Sequence, residues 1–421
     1  MLLRVVVLLL VAGRVVHGAA NTVRALDGFG HPVAWWAVLK LPSHVEKETH
    51  VVPTPCDCAT PDCSNVPTAG WPRLETRASG LCYLYADSTN PELRHFRDLG
   101  YDCLGQGGND PVSHTLKQRE TDNGPYWALF NDQLNGIAAA FHPSEGAPLD
   151  EGKRVCGGGD LFSAHAKGAV AFKDDGSGGF FLQTSTPNFP DPTLNDSFVR
   201  LGCQADDNVQ FAQHMLALSL GDTELRELGQ KLQFARLCSS NFFQDGSLHD
   251  LLGSADLFAD GAKQENTSAS AFYHALLDPE LPHQQPTDPM KAEFRLKLSV
   301  DESMQKPLVF EPLKEGQHLE ALNDDGSPID DEEVLVLVKS PRAAVPPWGL
   351  VAEMLDSDVS VASCWHMSDG SANFTWQLVG GRVPDGNHAK WGITTPRSGQ
   401  VNTSNAYVTF GDLNMEGTDR H

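Results

Sequence analysis

Residues 165–188, HAKGAVAFKDDGSGGFFLQTSTPN, contain the clearest structural signal in the chain. Two short apolar runs, Ala169–Phe172 and Phe180–Gln183, are separated by Lys173–Gly179, a segment rich in Asp, Gly and Ser. Such residues form tight turns, and short runs of β-branched and aromatic residues form strands. The stretch therefore predicts a β-hairpin.

Further apolar and periodic segments flank this hairpin. Strands are predicted over Val33–Lys40, Tyr126–Phe130, Val334–Lys339, Val359–Ser363, Phe374–Val379 and Ala406–Phe410. Apolar residues at helical spacing predict helices over Asn208–Leu220, Glu224–Phe234 and Trp348–Leu355. Because the two kinds of element are interspersed along the chain, we expect an α/β or α+β class, with α/β favoured, and a mixed sheet with flanking helices.

A short His-x-Lys element occurs twice. His165–Lys167 opens the predicted hairpin, and His388–Lys390 opens a second apolar stretch 223 residues later. Each is followed by a polar element that contains Asn, at Ser185–Asn188 and at Gly411–Asn414. In a strand, residues i and i+2 point to the same side. The His and Lys of each element are therefore expected to face one site.

Paired His and Lys side chains suit the cleavage of a phosphodiester. One neutral imidazole attacks phosphorus, and a second, protonated imidazole gives its proton to the leaving oxygen. The two lysines neutralise the phosphate oxygens, so this chemistry needs neither a metal nor another cofactor. The alternative from the residues alone is two surface histidines on unrelated strands.

The first residues predict the compartment. Met1–Arg4 carries a positive charge, Val5–Ala12 is apolar, and Gly18–Ala20 supplies small residues. This order is typical of a secretory signal peptide over residues 1–20, and eight apolar residues are too few to span a bilayer. We therefore expect a lysosomal or extracellular protein. Four sequons agree with that route, at Asn195, Asn266, Asn373 and Asn402.

Nine cysteines are present, and seven of them precede residue 205. Cys56, Cys58 and Cys63 are closely spaced, which suggests either disulfides or a metal knuckle. Disulfides are favoured, because the predicted route is oxidising and the spacing matches no zinc motif. The odd count leaves at least one thiol unpaired.

The net charge of -24, from 31 Lys and Arg against 55 Asp and Glu, argues against an architectural nucleic-acid binder. An enzyme that binds nucleic acid at low pH is still compatible with this net charge. Protonation of all 16 His brings the net charge from -24 to -8, and protonation of carboxylates brings it closer to zero.

Several stretches closely resemble the deoxyribonuclease II family of acid endonucleases, in order and approximate spacing from residue 26 onward. They are GHPVAWWAVLKLP at 30–42, YWALFNDQ at 126–133, HAKG at 165–168, GFFLQTSTPNFP at 179–190, HAKW at 388–391 and GDLN at 411–414. The P-N-F-P and H-x-K-W elements are the most specific of these, and the stretch 240–333 matches poorly.

The resemblance implies a phospholipase D-like pseudo-dimer, with one H-x-K element from each half at a shared site. The halves would be residues 21–205 and 206–421, the second with a variable polar insertion at 240–333. The family cleaves DNA at acid pH without metal, leaving 3′-phosphate and 5′-hydroxyl ends. By this resemblance the catalytic residues are His165, His388, Lys167 and Lys390, and the substrate-binding residues are Ser185, Asn188, Asp412 and Asn414.

Departures from the family pattern keep two other functions open. Lys173 stands where the family often has an acidic residue, which allows a secreted DNA-binding homologue with weakened catalysis. The other alternative is a different phospholipase D-like phosphodiesterase, such as a lipid-headgroup hydrolase, but no amphipathic stretch stands out for it. The expected partner is DNA, bound transiently at acid pH. No membrane and no obligate protein partner are expected.

Overall fold

The computed structural model describes residues 22–42, 44–47, 50–53, 56–59, 81–118, 126–131, 166–173, 176–187, 189, 201, 211–232, 239–240, 293–296, 334–337, 357–361, 364–367, 376–379, 389–396 and 408–411. Its strands up to the centre of the chain are β1 (Trp35–Lys40), β2 (His44–Lys47), β3 (His50–Pro53), β4 (Tyr83–Asp87), β5 (Asn90–His95), β6 (Tyr126–Asn131), β7 (Lys167–Lys173), β8 (Gly178–Thr184), β9 (Gln213–Leu220) and β10 (Ser239–Ser240). Those that follow are β11 (Glu293–Leu296), β12 (Val334–Leu337), β13 (Ser357–Val361), β14 (Cys364–Met367), β15 (Trp376–Val379), β16 (Lys390–Pro396) and β17 (Val408–Gly411). The helices are α1 (Pro111–Lys117), α2 (Asp222–Leu232) and a 3-10 helix at Phe96–Leu99.

The hairpin predicted around residues 173–179 is confirmed. Strands β7 and β8 pair antiparallel, with Lys167 opposite Thr184 at the open end and Lys173 opposite Gly178 at the turn. The hairpin lies inside an eight-stranded sheet of order β10-β6-β7-β8-β9-β1-β4-β5, in which all neighbouring strands are antiparallel. The strands predicted near β1, β6, β12, β13, β15 and β17 are also present.

The helix predicted over Asn208–Leu220 is wrong, because Gln213–Leu220 is strand β9. This strand lies between β8 and β1, and all eight of its residues are buried. A short apolar run that is buried on both faces shows no period-2 alternation, so periodicity alone does not separate it from a buried helix. The next predicted helix, Glu224–Phe234, is confirmed as α2, and Trp348–Leu355 lies outside the described residues.

Three smaller sheets accompany the large one: β11-β12, β13-β16-β17 and β15-β14-β2-β3. The last contains a parallel pairing, in which His366 of β14 lies opposite Glu46 of β2. Mixed strand pairing with few helices is compatible with the α/β class predicted from the sequence. The large sheet takes strands from both sides of residue 206, and the division into two halves stays a prediction. None of the helices described is long and apolar enough to cross a membrane.

One face of the large sheet packs on α1. Trp36 is fully buried, and its indole N–H donates to the Thr115 hydroxyl of α1 at 3.1 Å. Val112 and Leu116, on the same helix, belong to the apolar core that this face forms. The core joins β1, β4, β6, β7, β8 and β9 into one unit, and burial of its apolar surface stabilises this unit.

Two disulfides close the segment between β3 and β4 onto the core. Cys56 pairs with Cys82, and Cys58 pairs with Cys103. The sulfur atoms of Cys56, Cys58 and Cys82 lie within 4.8 Å of one another, which is the spacing of metal ligands. Because these cysteines are joined in disulfides, the structure agrees with the pairing favoured by the sequence over a metal knuckle. Cys63 lies outside the described residues.

Helix α1 begins with a buried cap. The Asp110 carboxylate accepts hydrogen bonds from the Ser113 backbone N–H at 2.9 Å and from the Ser113 hydroxyl at 2.5 Å. Pro111 follows at the first helical position, where its missing N–H costs nothing. Desolvation by complete burial raises the pKa of Asp110 to about 6, against the smaller opposing effect of its hydrogen bonds.

This cap makes the fold more stable in acid. Since the pKa of Asp110 is higher in the folded than in the unfolded state, its contribution to stability is full below about pH 4 and is lost as the pH rises through 6. Asp110→Asn keeps an acceptor for the Ser113 N–H and does not ionise. We expect wild type to lose up to about 3 kcal/mol relative to this variant between pH 4 and 7.

Urea unfolding of both proteins at several pH values measures the difference. Because all other titrating groups are common to the two proteins, their pH dependence cancels in the comparison. A difference in the free energy of unfolding that stays constant from pH 4 to 7 would contradict the assignment.

Candidate functional site

Polar residues occupy one end of five neighbouring strands in the large sheet. Asn131 ends β6, Lys167 begins β7, Thr184 ends β8, Gln213 begins β9 and Lys40 ends β1. Because neighbouring strands are antiparallel, these chain positions all lie at the same end of the sheet. We call this group of five residues the polar edge.

The strand register places Lys167, Thr184, Gln213 and Lys40 on one face of the sheet. Lys167 lies directly opposite both Asn131 and Thr184, and Lys40 lies directly opposite Gln213. Thr184 is opposite Met215, which is two residues from Gln213 and therefore on its side of β9. Directly opposite residues have their Cβ atoms about 5 Å apart and point to the same side. The face is the one that carries the apolar core.

Lys167, the lysine of the first H-x-K element, is fully buried at the start of β7. The glycine after it has no room for a side chain, because a Cβ at Gly168 would meet the Leu182 carbonyl and the Phe130 ring, the latter at 2.5 Å. Glycine therefore lets β6, β7 and β8 approach closely beside the lysine. His165 lies outside the described residues, and Ala166 just before Lys167 is half-buried.

Lys40 is a second fully buried lysine in the polar edge, and its ammonium donates to the Phe211 carbonyl. Lys40 was not predicted as a site residue. The sequence did contain a signal for it, because this lysine ends the otherwise apolar strand WWAVLK. Lysine is almost never fully buried unless it is paired. The first half of the chain thus supplies two buried cations to one end of the sheet.

Ser185 follows β8 directly, and its side chain is held from two sides. Its hydroxyl donates to Oε1 of Gln213 at 2.5 Å and accepts from the backbone N–H of His214 at 3.0 Å. Its own backbone N–H donates to the His214 carbonyl at 3.0 Å. The residue is 2% exposed, so these bonds are made away from bulk water.

Two polar atoms near Ser185 have no partner among the residues that the structure describes. They are Nε2 of Gln213 and Oγ1 of Thr186, and both residues are fully buried. Gln213 was not predicted as a site residue. A helix over Asn208–Leu220 gave no reason to place Gln213 opposite Lys40, the last residue of β1. The unsatisfied amide donor of Gln213 is the informative one, because unsatisfied buried donors are rare and recur at functional sites.

The second H-x-K element begins a strand as well. Lys390 is the first residue of β16 and lies opposite Gly411, the last residue of β17. Ala389, between His388 and Lys390 in sequence, is 6% exposed and belongs to the same apolar core as Ala169 and Leu182. Strand β16 also contacts β9. His388, Asn188, Asp412 and Asn414 lie outside the described residues.

The described part of the site is therefore a basic, hydrogen-bonded edge of a sheet. Lys167 of the first H-x-K element lies opposite Thr184, which directly precedes Ser185. Ala389 of the second H-x-K element belongs to the apolar core on the same face. Lysine, hydroxyl and amide groups are the side chains that bind oxyanions. The described groups are therefore of the kinds that bind anionic ligands.

Comparison with known proteins identifies the family. Residues 68–276 match the family model of deoxyribonuclease II. This matched range contains strands β4 to β10 and the first H-x-K element. This match confirms the deoxyribonuclease II family that the sequence predicted. Membership supports a DNA-hydrolysing acid nuclease in general, in a family whose members are typically lysosomal or secreted. No curated protein matches the chain in a direct search.

Proposed function

We propose that this protein is a secreted or lysosomal endonuclease that hydrolyses DNA phosphodiester bonds without a metal, through a phosphohistidine intermediate. One observation carries the proposal. Lys167 is fully buried at the polar edge, and Ala389, from the second H-x-K element, packs in the core on which that edge rests. Two elements 223 residues apart in sequence that share one core are well placed to serve one site.

The proposed roles follow from the chemistry of each group. His165 is the nucleophile and His388 the general acid, while Lys167 and Lys390 neutralise the non-bridging phosphate oxygens. Asn188, Asp412 and Asn414 complete the substrate-binding groups. Burial supports the role of Lys167, because a fixed cation in a low-dielectric site stabilises developing negative charge more strongly than one in water.

The reaction takes two steps in which one proton is given and taken back. In the first, the neutral His165 imidazole forms a bond to phosphorus, and the bond from phosphorus to the 5′-oxygen breaks as His388 protonates that oxygen. In the second, water attacks phosphorus while the now neutral His388 removes its proton, and the bond from phosphorus to His165 breaks. The products are a 3′-phosphate and a 5′-hydroxyl.

The ends of the DNA fragments test this mechanism. Incubation of the purified protein with plasmid at pH 5 in EDTA is expected to give fragments that polynucleotide kinase labels without prior phosphatase treatment. The reason is that a 5′-hydroxyl accepts phosphate from ATP, whereas a 5′-phosphate blocks the reaction. Fragments that ligate directly, and so carry 5′-phosphates, would exclude this mechanism even for an active nuclease.

The same incubation separates the alternative functions. A protein with weakened catalysis would retard the plasmid without cutting it. A lipid-headgroup hydrolase would leave the plasmid intact and release headgroups from phospholipid vesicles. If the protein cut the plasmid without EDTA but not with it, the reaction would depend on a metal ion instead.

The rate is expected to depend on pH as a bell with its maximum on the acid side of neutrality. One imidazole must be neutral and the other protonated, so the rate falls on both sides. The net charge of -24 also repels DNA more strongly at neutral pH than at pH 5, where histidines and some carboxylates are protonated. Initial rates from pH 3.5 to 8.5 at constant ionic strength measure the profile. An optimum near pH 8 would contradict both arguments.

A further inference from the structure

Ser185 has less hydrogen-bonding freedom than a phosphate ligand needs. A hydroxyl group has one proton and two lone pairs. The proton of Ser185 is given to Oε1 of Gln213, and one lone pair accepts the His214 N–H. Only one lone pair remains. Ser185 can therefore form one more bond, and only with a donor.

Phosphate oxygens at the proposed site are acceptors, whereas the donors there are lysine ammonium groups and histidine N–H groups. We propose that Gln213 is a positioning residue that fixes the Ser185 hydroxyl as an acceptor for a cationic N–H group of the catalytic machinery, so that Ser185 orients a protein group and does not bind the phosphate. This inference rests on the proposed function and assigns Gln213 a role in it.

The location of Gln213 supports the assignment. It is fully buried at the start of β9, directly opposite the buried Lys40 and on the face that carries Lys167. Its amide oxygen accepts the serine proton, which leaves the Ser185 oxygen as an acceptor.

Kinetics of five variants on a duplex oligonucleotide at pH 5 in EDTA test the proposal. Ser185→Ala and Gln213→Leu are each expected to lower kcat by about 10- to 100-fold with KM changed by less than about threefold, because positioning is lost and substrate binding is not. The double variant is expected to lie within about threefold of either single variant, since both changes break one connected network.

Gln213→Glu and Thr186→Val are the matched controls. A glutamate carboxyl group has an acceptor oxygen in either protonation state, so it is expected to restore most of the kcat that Gln213→Leu loses. If the amide N–H of Gln213 were the active group, an ionised glutamate would not restore it. Thr186 is equally buried beside Ser185, and its Oγ1 has no partner in the described structure, so its valine variant is expected to match wild type.

Three outcomes overturn the proposal. A rise in KM with unchanged kcat for Ser185→Ala would make the serine a phosphate ligand. Independent, multiplying effects of the two single variants would show that Gln213 does not act through Ser185. A loss for Gln213→Leu that the glutamate variant does not reverse would assign a structural role. Failure of both wild type and Thr186→Val to cut DNA would instead remove the proposed function, and this inference with it.

Discussion

Replacing either His165 or His388 with Ala is expected to lower the rate of DNA cleavage by about three or more orders of magnitude. Each histidine serves one essential step of the proposed reaction, the first as nucleophile and the second as proton donor and acceptor. The double variant is expected to be little slower than either single variant. Once one essential step is lost, removal of the histidine that serves the other step lowers the rate little further. Cleavage of plasmid at the pH optimum of wild type measures all three.

His31→Ala is the matched control for these variants. The His31 side chain is 74% exposed and bonds to Asp27 at 3.1 Å, away from the polar edge. Its loss is expected to leave the rate within about twofold of wild type, as for a surface substitution. Near-full activity of either His165→Ala or His388→Ala would show that the two H-x-K elements do not form one catalytic site.

Lys167→Met is expected to lower kcat by about 100- to 1,000-fold, the range seen when one oxyanion-stabilising group is removed. Methionine keeps the length and apolar stem of the fully buried lysine and removes its ammonium group. The free energy of unfolding of the variant is compared with that of wild type, so that loss of folded protein is not mistaken for loss of kcat. Steady-state kinetics and urea unfolding of one preparation measure both.

The same strand supplies the control for this prediction. Lys173 ends β7 at the turn of the hairpin, six residues from Lys167 and on the same face, but it is only half-buried. Lys173→Met changes the net charge of the protein by the same amount. It is expected to leave kcat nearly unchanged, so equal losses in the two variants would show that Lys167 acts only through overall charge.

The hairpin and the family were readable from the sequence because each depends on local signals. Turn residues between two apolar runs specify β7 and β8 without help from distant segments. The H-x-K elements carry their chemistry in their own residue types. The deoxyribonuclease II family follows from these elements in their order, and the family match over residues 68–276 confirms it.

Strand β9 shows where local signals fail. Its sequence, QHMLALSL, contains good helix formers, and nothing nearby marks it as a strand. It becomes a strand because β8 and β1 offer backbone partners on both sides, and burial of all eight residues repays the weak local preference. Its position in the middle of the sheet depends on β1, which lies 173 to 183 residues earlier in sequence, as well as on β8.

The sequence by itself determined which groups are available: two H-x-K elements, a serine after the hairpin, and the excess of acidic residues that favours low pH. Only the tertiary structure decided that Lys40 and Gln213 join Lys167 at one edge, and that the Ser185 proton is given to Gln213. The physical reason is strand register. Pairing between β1, β9 and β8 sets which side chains lie opposite one another, and that pairing is fixed by packing across the whole sheet.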